Sequence, residues 1–105
     1  MIDSQEETKV HSSVTSDITL TPPKRYYVVM HNDNKTPFDF VIEVLCDLFN
    51  HDSQTAADLA HKIHTDEKAI VGMYNLEIAE QKIEETVRAA RVNSYPLTVT
   101  LEPAE

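Results

Sequence analysis

The chain has 105 residues, 41% hydrophobic and 26% charged, a size and mix that give one small globular domain with one modest core. Nine Lys and Arg stand against 18 Asp and Glu, a formal net charge of −9, which argues against nucleic acid or an anionic membrane as a partner. The one cysteine, Cys46, cannot form an internal disulfide, and the one glycine, Gly72, cannot build a Gly-rich phosphate loop.

Residues 1–21 carry Ser, Thr, Asp and Glu with no Phe, Tyr or Trp, and Asp3, Glu6, Glu7 and Asp17 outnumber Lys9. Such a stretch buries too little apolar surface to offset its ordering entropy, so a flexible acidic arm is expected, ended by Pro22 and Pro23. It lacks the apolar core of a signal peptide, and no stretch of the chain nears the roughly 20 apolar residues of a membrane span. With a lone cysteine, the cytoplasm is the expected compartment. The folded unit is expected over 22–105.

Tyr26 to His31 reads YYVVMH, short and rich in β-branched and aromatic residues, which predicts a buried strand. Asn32-Asp33-Asn34-Lys35 is a cluster of turn formers. Thr36 is a candidate N-cap, with Pro37 at the first helical position and Asp39 in the first turn. Val41, Val44, Leu45 and Leu48 then repeat at i, i+3, i+4, i+7, predicting an amphipathic helix to about Phe49. Asp52 or Ser53 caps a second helix striped by Ala56, Leu59, Ala60 and Ile63 and ending near His64-Thr65. Asp66-Glu67-Lys68 is a turn, and Ala69 to Tyr74 reads as a strand. Asn75 caps a third helix whose inner face is Leu76, Ala79, Ile83, Thr86, Val87 and Ala90. After the loop Asn93–Pro96, Leu97 to Leu101 alternates with period two, a half-buried strand. The order is β-α-α-β-α-β. It predicts an α/β (α+β) domain, a three-stranded antiparallel sheet with three helices packed on one side.

Three kinds of chemistry compete for these residues. Cys46, His64 and Asp33 supply a nucleophile, a base and an acid by composition. Cys46 sits inside a helical pattern, without the strand-to-helix elbow that exposes a nucleophile. His61 and His64, at i, i+3, can share an ion, but a closed zinc site needs four ligands. No catalytic residue, metal or cofactor is therefore expected. Asn32, Asp33, Asn34 and His64 form the third candidate, where a strand meets a helix and the next helix ends. Acceptors beside apolar walls suit an ammonium group that carries a hydrophobic side chain. The same residues also read as ordinary turn chemistry and helix-dipole compensation.

Asn32-Asp33-Asn34-Lys35-Thr36-Pro37-Phe38-Asp39-Phe40-Val41 resembles the Asn-Asp-Asp-x-Thr-Pro-Met-Glu-Phe-Val signature of the ClpS family, adaptors that bring N-end-rule substrates to a Clp ATPase–protease. Ile63-His64 resembles that family's Val-His. Lys68-Ala69-Ile70-Val71-Gly72 resembles its Gly-Lys-Ala-Ile-Cys-Gly run. Glu77-Ile78-Ala79-Glu80-Gln81-Lys82 resembles Glu-Val-Ala-Glu-Thr-Lys, and Tyr95-Pro96-Leu97 resembles His-Pro-Leu. The likeness spans about residues 22–103 without a gap.

The resemblance implies a fold like the C-terminal domain of the ribosomal stalk protein. It implies binding of proteins whose first residue is Leu, Phe, Tyr or Trp. The free α-amino group would be held by Asn32, Asn34 and His64, with Asp33 beside them holding the entering backbone. The first side chain would enter a pocket of Thr36, Phe38, Val41, Ala60, Ile63 and Leu97. Glu77, Glu80 and Lys82 match positions that dock on the N-domain of ClpA or ClpC, and the arm would engage the ATPase pore. A monomer is expected. A modulator of the Clp ATPase that carries no substrate, and a small hydrolase using Cys46 or His64, are the alternatives. Three departures bear on side-chain preference: Asn34 stands where an acid is usual, Phe38 where Met is usual, and Ala60 replaces a common Met.

Overall fold

The structure is a computed structural model that describes residues 23–104; the arm read over 1–21 lies outside the described residues. Six elements follow in chain order: β1 (Tyr26–His31), α1 (Phe38–Asp47), α2 (Ser53–Asp66), β2 (Lys68–Tyr74), α3 (Leu76–Val92) and β3 (Thr98–Pro103). The three strands form one antiparallel sheet in the order β2-β1-β3. This is the α+β arrangement expected from the order of apolar periodicities.

β1 is central and pairs on both sides, which explains its near-continuous apolar sequence. Val28 and Met30 face the helices and are fully buried. They join Val41, Val44 and Leu45 of α1, Ala56, Ala60 and Ile63 of α2, and Ala79 and Ala90 of α3 in one core. Val29 is also buried but stands outside that cluster, on the opposite face. The one buried polar side chain among the described residues, Thr86, donates its hydroxyl to the Lys82 carbonyl at 2.8 Å, so it leaves no unpaired group.

A bulge interrupts the β1–β2 register: Val28 pairs with Gly72, and Val29 with Ile70, so Val71 has no opposite number. The ring Nε2 of His51 lies 2.7 Å from the Val71 carbonyl oxygen, which it satisfies by donating. After the bulge Gly72 and Tyr74 share a face. A Cβ on Gly72 would lie 2.5 Å from the Tyr74 hydroxyl oxygen, so a side chain there must displace the ring. That ring packs 6.4 Å from Phe49, and the Lys82 ammonium lies 5.9 Å from its centroid. Burial raises the Tyr74 hydroxyl above its ordinary pKa.

Five local expectations change. Thr36 does not cap α1: the helix starts one residue later, so Pro37 holds the N-cap position with no side-chain bond, and the Thr36 hydroxyl donates to Asp33. α1 stops at Asp47 rather than Phe49, and α2 runs on to Asp66. Leu76, expected inside α3, is 40% exposed, since it opens the helix before the turn that reaches the core. β3 begins at Thr98, one residue after the buried Leu97. The caps Asp52 and Asn75 stand as read, accepting from Thr55 N–H at 2.7 Å and Ile78 N–H at 2.9 Å.

The corner between α2 and β2 carries strain. Glu67 closes α2 in the left-handed region, with φ 75°, where a Cβ costs about 1–2 kcal/mol and where glycine is the usual closing residue. Glu67→Gly is expected to stabilise the fold by about 0.5–1 kcal/mol, less than the full relief because glycine loses more backbone entropy. A urea-denaturation midpoint that rises without a change in slope checks this.

Candidate functional site

The turn after β1 and the end of α2 meet because the sheet makes them neighbours. His31 pairs with Lys68 at the start of β2, and the next residue, Asn32, donates its backbone N–H to the Glu67 carbonyl at 2.8 Å. The sharp exit at Glu67 therefore holds the last turn of α2, with His64, beside the Asn32–Thr36 loop.

Asp33 organises that loop. Its Oδ1 accepts from the backbone N–H of Lys35 and of Thr36, each at 2.7 Å, and its Oδ2 accepts from the Thr36 hydroxyl at 2.7 Å. Burial pushes the Asp33 carboxyl up, but the bonds from Thr36 and Lys35, together with the Arg91 charge, outweigh it and hold the group below its ordinary pKa. The half-buried Asp33 thus ties the loop into a hook. Asn32 is half-buried and Asn34 exposed.

A cavity of about 510 Å³ opens at this junction. Asn32, Asp33, Asn34, Thr36 and His64 give it a polar side, and Val41, Ala60 and Ile63 an apolar floor. The floor residues are all buried, whereas Phe38 at the lip is 40% exposed. His61 completes the lining, its ring centroid 4.8 Å from that of Phe38 with the planes inclined at 56°. A second cavity, of about 530 Å³, uses another face of α1 and is rimmed by Asp39, Glu43 and Asp47. It holds none of the residues that the sequence singled out for binding.

Nine of the ten residues read as binding residues line the first cavity: Asn32, Asp33, Asn34, His64, Thr36, Phe38, Val41, Ala60 and Ile63. Leu97 does not; it is completely buried within the core. The sequence offers His61 only as a candidate metal ligand. Its place one helical turn before His64 was the available signal, because side chains at i, i+3 share a face. No group of three or more His, Cys, Asp or Glu among the described residues gathers to hold a metal ion. Cys46 packs half-buried against the core and does not line the cavity, away from Asp33 and His64. Glu77 and Glu80 are exposed on α3, and the Lys82 ammonium donates to the Leu48 carbonyl at 2.6 Å. No helix among the described residues is long and apolar enough to cross a membrane.

The arrangement offers hydrogen-bond acceptors on one wall and apolar surface on the floor. It suits a small amphiphile with a charged or polar donor at one end and a hydrocarbon group at the other.

Known proteins share this architecture. The family described as ATP-dependent Clp protease adaptor protein ClpS matches residues 21–100. The ATP-dependent Clp protease adapter protein ClpS of Pectobacterium carotovorum subsp. carotovorum (strain PC1) is 45% identical over 85 residues, covering 81% of this chain and 80% of the relative. Its counterpart in Vibrio atlanticus (strain LGP32) is 44% identical over 81 residues, covering 77% and 76%. Among solved structures, Agrobacterium tumefaciens ClpS2 bound to L-phenylalaninamide superposes with a TM-score of 0.76 at 33% identity, covering 78% of this chain and 99% of that one.

Replacing Asp33 by Asn leaves one acceptor oxygen where the hook uses two. The expected loss of stability is about 1–2 kcal/mol at pH 7. An acid whose pKa is lower folded than unfolded stabilises the fold above the unfolded value and loses that effect as pH falls through the folded one. The gap between wild type and Asp33→Asn should therefore be full near neutrality and shrink as pH drops below the ordinary aspartate range. Urea denaturation at pH 7 and near pH 3 measures both gaps.

Proposed function

Because the chain belongs to the ClpS family of Clp protease adaptors, we propose that it binds the free N-terminus of proteins that begin with Leu, Phe, Tyr or Trp and delivers them to a Clp ATPase–protease. The observation that carries this reading is the cavity itself, which joins the acceptors of Asn32, Asn34 and His64 to the apolar floor of Val41, Ala60 and Ile63.

The chemistry supports it from both ends of the ligand. An α-ammonium leaving water must find acceptors, because an unpaired buried donor costs on the order of 1–3 kcal/mol and a charged one more. The Asn32 and Asn34 side-chain oxygens and a neutral His64 ring nitrogen supply them. The Asp33 carboxylate, held below its ordinary pKa by its bonds in the loop, adds negative charge beside the amine although its oxygens are engaged there. A Phe or Leu side chain that buries about 100–200 Å² on the floor gains roughly 3–5 kcal/mol before ordering costs. L-Phenylalaninamide, the ligand of the Agrobacterium ClpS2 structure, has this composition: a free amine, an apolar side chain and an amide where a peptide would continue.

Delivery needs a second surface. Glu77 and Glu80, exposed on α3, are the proposed contacts to the N-domain of ClpA or ClpC, with Lys82 beside them. Segment 1–21 is the proposed contact to the ATPase during hand-over. The protein acts as a cytoplasmic monomer in this reading and catalyses no reaction; its relatives are named adaptors.

Fluorescence anisotropy with labelled peptides that differ only at the first residue tests it. Leu, Phe, Tyr and Trp peptides should bind in the micromolar range or tighter. N-acetylation, which removes the ammonium and strands the acceptors, should weaken binding at least tenfold, as should His64→Ala. Binding that ignores acetylation, or that favours Ile and Val over Leu and Phe, contradicts the reading. If no peptide binds while the Clp N-domain does, the chain is a modulator of the ATPase. Glu77→Lys with Glu80→Lys should abolish N-domain binding and spare peptide binding.

A further inference from the structure

We propose that His61 is a specificity-determining residue of this cavity: with Phe38 it forms an aromatic lip that favours Phe, Tyr and Trp as the first residue over aliphatic side chains. The inference rests on reading the cavity as a first-residue pocket.

The two rings come from different helices. Phe38 opens α1, and His61 lies on α2 next to the buried Ala60. Their centroids are 4.8 Å apart and their planes inclined at 56°, so the pair joins the two helices across the cavity lip. Tilted rings do not close on each other face to face, which leaves ring faces and edges free for a third ring.

Exposure points the same way. A phenyl ring 40% exposed at the edge of a cavity is apolar surface that a ligand covers. The floor beneath it is almost fully withdrawn from solvent, with Val41, Ala60 and Ile63 at 8%, 2% and 3%. Ala60 is the smallest of the three, and its methyl group leaves depth beside His61. A flat side chain can pass the lip, rest on Ala60 and pack an edge or a face against the pair.

Energetics separates ring from branched chain. Leu and Phe both gain from leaving water, but only an aromatic group gains the quadrupole contact with the two rings. Such contacts are worth about a three- to tenfold change in affinity beyond area. Removing one ring of the lip should therefore act unequally on the two classes of ligand.

The test is isothermal titration of peptides identical after a first residue of Phe, Trp or Leu, against wild type, His61→Ala, Phe38→Leu and the double variant. Wild type should prefer Phe and Trp. His61→Ala should weaken Phe and Trp binding about three- to tenfold and Leu binding less than twofold. Phe38→Leu should show the same split, and the two effects should not add, as expected for groups in contact. His61 is exposed, so the thermal midpoint should hold; His61→Gln, polar and without a ring, gives the same split if Ala perturbs the helix. Equal weakening of Phe and Leu peptides, or no weakening of either, overturns the proposal while leaving the pocket intact. Failure of every free-amine peptide to bind wild type has a different signature and overturns the pocket reading with it.

Discussion

One backbone hydrogen bond fixes the geometry on which the candidate site depends, that from Asn32 N–H to the Glu67 carbonyl. It extends the β1–β2 ladder one step past the His31–Lys68 pair, to the point where both chains leave the sheet. One chain leaves as the Asn32–Thr36 loop and the other arrives from α2. Neither segment holds a pocket alone. The loop supplies acceptors without a floor, and α2 supplies Ala60, Ile63 and His64 without a facing wall. The left-handed Glu67 is the local cost of the join: a side chain sits there against its conformational preference so that α2 can turn directly into β2.

Division of labour within the loop follows from hydrogen-bond capacity. An ionised carboxylate has four lone-pair sites, and Asp33 uses at least three on its own chain. Its first task is therefore to shape the hook, and its charge reaches the cavity as a field rather than as an open ligand. Asn34, where an acid is usual in the family signature, presents a neutral amide. The proposed amine site would have one fixed negative charge, neutral acceptors and His64. Strength of amine binding then depends on how completely those acceptors are paired, because each one left dry and empty carries a desolvation cost.

Much of this was legible in the residues. Helices showed as i, i+3, i+4, i+7 repeats, and β3 showed as strict alternation. Asp52 and Asn75 showed as caps, because each effect is local and depends on few neighbours. Nine residues of the cavity lining follow from the resemblance of the loop, the start of α1 and the end of α2 to the ClpS sequence pattern. What escaped has non-local causes. Thr36 carries the signal of an N-cap, yet the helix starts one residue later, with Pro37 at the N-cap, and the Thr36 hydroxyl donates to Asp33 instead. The bulge at Val71 depends on pairing with β1 and on the His51 ring reaching its carbonyl, neither visible in the run Ala69 to Tyr74. Leu97 reads as a pocket wall but is buried in the core, since β3 starts one residue later and its preceding side chain turns inward. His61 reads in the sequence only as a candidate metal ligand beside His64. Only the approach of α1 gives it a partner.

The central claim is that the Asn32–Thr36 loop and the last turns of α2 make a single site for a free amine and its side chain. Amide-resolved NMR titration with L-phenylalaninamide tests it most directly, with N-acetyl-L-phenylalaninamide as the control. Saturable shifts are predicted at Asn32–Phe38 and Ala60–His64, with the rest of the sheet and the outer turns of α3 unmoved and the acetylated compound silent. Shifts centred on another surface, such as the Asp39–Glu43–Asp47 face of α1, or equal shifts with both compounds, would contradict it.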